Sequence, residues 1–148
     1  MRFMANLRGH GTLELDVRDR ASSWLLRFAP WTNKAWTTIN GVIYPPLALS
    51  AEQVAAHGSR YDSTLAHEAV HVRQQAGLSW PLFLLLYVLL PIPFLAPARA
   101  WFEAEAYAHE AEHYGRSADA CVDAICSRLY VYPAPRWLVW WMMARFMQ

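Results

Sequence analysis

The chain has 148 residues, enough for one domain with a real core and too few for a second of ordinary size. Thirteen Lys and Arg stand against twelve Asp and Glu, and a net charge of +1 gives no electrostatic footing for nucleic acid. Apolar residues make up 55% and charged residues only 17%, with eight Trp, a balance that points to a membrane surface or an apolar partner.

Residues 1–20 are polar and charged and lack the apolar stretch of a cleavable secretory signal. Cys121 and Cys126 do not form a CxxC pair and are too few for a structural zinc site, so they read as reduced thiols on a packed helix. A location on the cytoplasmic side, in contact with a membrane, is the resulting expectation. Over residues 1–35 the clearest pattern is Leu13-Glu14-Leu15-Asp16-Val17, whose alternation predicts a short strand. The β-branched and aromatic run from Trp36 to Tyr44 predicts a strand, or a hairpin turning at Asn40-Gly41, ended by Pro45-Pro46. Ser50 and Gln53 form a capping pair that starts a short helix closed at Gly58. Asp62 or Ser63 then caps a helix over about 64–76, with Gly77 as its stop.

From Ala76 to Ala98 no residue is charged, and Pro81, Pro91, Pro93 and Pro97 punctuate the run. The segment has the length of a membrane span, but the prolines leave 82–90 as a piece of about 13 Å, too short to cross. Helices are expected over 97–114, stopped by Gly115, and over about 117–129. The tail, 136–147, reads as a short apolar helix with basic ends, suited to a headgroup region or to a core.

The helix over 64–76 carries His67-Glu68-Ala69-Val70-His71, an HExxH pattern. Residues four apart share one helix face, so both imidazoles can reach one cation, while Glu68 can act on water as a general base without being a ligand. Catalytic zinc takes three protein ligands and keeps one position open, so a third ligand must come from elsewhere. Downstream lies Phe102-Glu103-Ala104-Glu105-Ala106-Tyr107-Ala108-His109-Glu110.

This second segment resembles the glutamate-bearing helix of gluzincins, and its ExEA core resembles the ExEAD motif of membrane metallopeptidases of the CAAX-prenyl-endopeptidase type. That resemblance makes Glu105 the third zinc ligand and Glu103 a supporting residue, with Tyr107 standing where that family has Asp. A closer resemblance, over about residues 36–112, is to small metallopeptidase-like proteins with a strand, HExxHxxQQ, an apolar segment and FExEAYAxE. Gln74, Gln75 and Glu110 belong to that match. The resemblance implies an α+β, mainly α fold: a zincin-like helix pair, a small N-terminal β element and a proline-broken apolar hairpin, in one domain spanning 1–148. It implies a Zn²⁺-dependent peptidase acting on a peptide or protein, and a substrate running in extended form beside the strand at 37–44.

A shared metal also constrains the apolar segment. A single crossing would put His71 and Glu105 on opposite sides of a bilayer, so 76–98 must turn back or be buried. His109 is expected to orient Glu105 or His67, and His109, Tyr107, Tyr114 and His113 are all candidates to donate to the oxyanion. His109-Glu110-Ala111-Glu112-His113 is a second formal HExxH match, running into the expected helix stop. Two readings compete with the peptidase. The ExxH pairs Glu68/His71 and Glu110/His113 are those of a di-iron bundle, although Glu52 is the one further helical carboxylate to complete it. A membrane-interacting protein with a vestigial zinc signature is the other.

Overall fold

Alternation along the first residues builds a strand pair. In the computed structural model, which describes residues 1–7, 11–89, 96–127 and 134–147, strand β1 (Arg2–Leu7) runs antiparallel to β2 (Gly11–Val17). Leu15 and Val17 point inward and are fully buried, while Thr12 and Glu14 face solvent, as a half-buried strand requires. The fold is α+β and mainly helical, and the chain divides into two compact units, residues 1–76 and 77–148.

In the first unit, β3 (Thr37–Ile39) and β4 (Val42–Tyr44) form the expected hairpin at Asn40-Gly41. Both turn residues have positive φ, 50° and 74°, the conformation that matches a two-residue turn to the strand twist. The sheet order is β1-β2-β4-β3, with β2 and β4 parallel through Asp16↔Val42 and Val17↔Ile43, so β3 is an edge strand. A four-residue helix, α1 (Trp24–Arg27), lies between β2 and β3 in the chain. Arg20 is buried, and its guanidinium donates to Ala35 O at 3.2 Å, Asn33 Oδ1 at 3.3 Å, Thr37 Oγ1 at 3.4 Å and the Thr32 hydroxyl. Burial pulls its pKa below the usual arginine value, and the four acceptors offset part of that cost while fixing the approach to β3.

Helix α2 (Ala51–Ala56) starts with the Ser50/Gln53 capping box, both bonds of which form, and Asp19 accepts from Ala51 N at 2.7 Å. It ends at Ala56 with His57 as its cap, ahead of Gly58. Helix α3 (Asp62–Leu78) grows out of a 3-10 turn at Gly58–Tyr61, so Asp62 lies in its first turn rather than capping it. It also passes through Gly77 and ends at Leu78, followed by Ser79, where φ is 64°. A glycine inside a helix costs only about 1 kcal/mol relative to alanine, so the helix can continue past Gly77.

The second unit begins with α4 (Trp80–Leu84), continued by a π-helical turn at Leu85–Leu89. The expected break at Pro91 and Pro93 falls outside the described residues, among which no helix is long and apolar enough to cross a membrane. Helix α5 (Ala96–Tyr114) stops at Gly115, φ 72°, and α6 (Ala118–Ile125) starts at Ser117, whose hydroxyl accepts from Ala120 N. Ala100, Ala104 and Ala108 form a small-residue stripe on α5, against which Val122 and Ile125 of α6 pack with Val139 and Met143 of α7 (Arg136–Phe146). Arg136 ties α7 to Asp119 and Asp123 of α6. The other face of α7 leaves Trp137 72% and Trp141 55% exposed. Both cysteines are free.

Candidate metal centre

Helix α3 buries polar side chains on several sides, and burial of such groups is tolerable only with partners. His67 and His71 are both buried, with ring centroids 5.0 Å apart and planes at 78°. His71 Nδ1 lies 2.8 Å from Gln74 Oε1, one turn along the same helix. With the amide oxygen as acceptor, Nδ1 carries the proton and Nε2 keeps its lone pair for a cation. Sequence reading gives Gln74 no role of its own; the signal for it is the His-x-x-Gln spacing, three residues on a helix.

Glu68 is buried, and its Oε2 accepts from Thr38 Oγ1 at 2.6 Å. Gln75, seven residues on and so on the same helix face, grips the same hairpin twice. Its Nε2 donates to Thr38 O at 2.7 Å, and its Oε1 accepts from Gly41 N at 3.1 Å. Strand β3 is therefore an edge strand, as an extended substrate beside it would need, but its Thr38 carbonyl is already taken by Gln75.

On α5, Glu103 is 2% exposed and accepts a hydrogen bond from the Tyr87 hydroxyl. Tyr87 is held in turn by stacking on Phe83 at 5.1 Å, and Phe83 packs on Phe102 at 4.9 Å. Glu105, two residues further and roughly 200° around the helix, is half-buried. Tyr107 lies under the Arg116 guanidinium, 4.9 Å from its ring centre. His109 is buried, with its ring 4.5 Å from that of His113. Glu110 accepts from Arg116 Nη1 at 2.9 Å. Although burial works against its charge, Arg116 is held above the ordinary arginine value by the charge of Glu110.

Among the described residues, His67, His71 and Glu103, all buried, form a group that could hold a metal ion. It takes Glu103, which the resemblance casts as a supporting residue, and does not include Glu105. Each of these glutamates stands one residue from Ala104 of the core stripe, so spacing alone gives no means of choosing between them. Two imidazoles and a carboxylate are a donor set of catalytic zinc, so the residues present fit that ion. Comparison with protein-family models, with curated proteins and with solved structures finds no match to this chain.

Proposed function

We propose that the protein is a zinc-dependent peptidase of gluzincin-like chemistry, with His67, His71 and Glu103 holding the ion and Glu68 as general base. The observation that carries this reading is the buried pair His67/His71 with a buried carboxylate between them in sequence, oriented by a neutral hydroxyl. Bound there, zinc supplies Lewis acidity that acidifies water and polarises a carbonyl. Glu68 accepts the proton as water adds to the scissile carbonyl and returns it to the leaving amine nitrogen. Gln74 fixes the tautomer of His71, and the Tyr87 hydroxyl steadies Glu103. The di-iron reading is the weaker one, since Glu110 of its second ExxH pair is engaged by Arg116.

Elemental analysis of the purified protein tests this directly. About one zinc per chain is expected, lost in His67→Ala and His71→Ala; two irons would favour the bundle. Glu103→Ala should weaken zinc binding about tenfold or more, with Glu105→Ala near the parent. The reverse order moves the third ligand to Glu105.

We further infer contact with a lipid surface through α7, supported by the exposed rings of Trp137, Trp140 and Trp141. Leu82 and Leu85 add exposed apolar surface in the segment after α3. Because Asp119 and Asp123 offset Arg136, zwitterionic lipid should suffice. Co-sedimentation with phosphatidylcholine vesicles should fall in the Trp137→Ala/Trp141→Ala double variant; undiminished binding would put the contact elsewhere.

A further inference from the structure

We propose that the β3–β4 hairpin is a positioning device for Glu68, with Thr38 and Gln75 as its working residues. The proposal rests on the reading of Glu68 as general base, and it assigns a role to residues outside both HExxH segments. Three hydrogen bonds define it. Thr38 Oγ1 donates to Glu68 Oε2 at 2.6 Å, Gln75 Nε2 donates to Thr38 O at 2.7 Å, and Gly41 N donates to Gln75 Oε1 at 3.1 Å. The single residue Thr38 is thus held at its backbone by the helix whose carboxylate its side chain orients.

The arrangement follows from two periodicities. Glu68 and Gln75 are seven residues apart, two turns of α3, and so project on one side. Thr38 is the middle residue of a three-residue edge strand, where backbone groups lacking a strand partner face outward and need another one. The Gln75 carboxamide offers the donor and acceptor of a peptide group and meets the hairpin at both Thr38 and Gly41. The Asn40-Gly41 turn, with both φ values positive, fixes the spacing between those two points. At the strand's other end, Arg20 bonds Thr37 Oγ1 and Ala35 O, so the strand cannot slide without breaking contacts at both ends. A hydroxyl donor restricts the direction of the carboxylate and brings no second charge to it.

The test uses zinc-loaded full-length protein carrying ¹³C-labelled glutamate, with the Glu68 carboxylate resonance assigned by its loss in Glu68→Gln. In Thr38→Val the resonance should move while zinc content stays at the parent level, and Thr38→Ser should restore it. On a pool of internally quenched fluorogenic peptides, Thr38→Val should lose about tenfold in kcat at unchanged KM, again recovered by Thr38→Ser. Gln75→Leu keeps the hydroxyl but frees the strand, and it should move the same resonance, which covers the case of an unstable Thr38→Val. An unmoved resonance in both Thr38→Val and Gln75→Leu overturns the proposal, as does a Thr38→Ser protein as impaired as Thr38→Val. If the parent cleaves no peptide while the resonance responds as expected, the peptidase reading fails and the orienting role stands.

Discussion

The chain carries the HExxH pattern twice, on α3 and on α5, and the two copies differ in what surrounds the glutamate. Both pairs bring their imidazoles together, 5.0 Å apart for His67 and His71 and 4.5 Å for His109 and His113. Four-residue spacing on a helix therefore accounts for the paired rings and discriminates nothing. Glu68 accepts from the neutral hydroxyl of Thr38, whereas Glu110 is ion-paired with Arg116, whose guanidinium also covers Tyr107. A neutral donor orients a carboxylate and leaves its charge available, while an adjacent guanidinium favours the ionised form and competes with proton transfer. His71 is oriented by Gln74 on its own helix; His113 is more exposed and lies 3.9 Å from Glu112. The motif becomes a site through its neighbours.

Paired substitutions put this contrast under the most strain. Glu68→Gln should retain zinc and lose at least about a hundredfold in kcat on the fluorogenic peptide pool, the ordinary worth of a general base. Glu110→Gln should keep kcat within about threefold of the parent and instead lower thermal stability, because Arg116 is left half-buried beside a neutral amide. If Glu110→Gln abolishes turnover as Glu68→Gln does, the two segments are not functionally distinct. Equal turnover in all three proteins would remove Glu68 from the chemistry.

Much of this is legible in the amino-acid sequence. The signature helix, the Asn40-Gly41 turn, the Ser50/Gln53 cap and the Gly115 stop are all local, set by residues within a few positions of each other. The missed features are long-range. Thr38 meets Glu68 across 30 positions of sequence, and Gln75 meets Thr38 across 37. Neither Thr nor Gln has a spacing that announces such a bond. The parallel pairing of β2 with β4 is of the same kind, since a two-residue register leaves no periodic mark. Glu103 and Glu105 are equally placed about Ala104, and the deep burial of Glu103 beside Tyr87, which stacks on Phe83, comes from packing that spacing does not announce. Arg116 lies six residues after Glu110 of α5, past the glycine stop, where helix spacing rules no longer apply.

The smallest effect offers a probe of the second segment from within its own core. The Cys121 thiol is pushed up to about 11, chiefly by burial; Arg116 lowers it and Glu110 raises it. It therefore reports on the ion pair that sets the α5 motif apart. Neutralising Glu110 removes one of the raising influences, so Glu110→Gln should shift the ultraviolet thiolate titration of Cys121 to lower pH. The ordinary value is 9.0, so as pH rises the unfolded chain gives up this proton before the folded one does. The stability that Cys121 contributes is complete below about 9 and is lost as pH climbs through about 11. Urea midpoints measured across that window should fall with pH in the parent and fall less in Cys121→Ala. A Cys121 titration indifferent to Glu110→Gln would mean that the Glu110 charge is not felt in this core, and the electrostatic distinction between the two motifs would rest on the hydrogen-bond geometry alone.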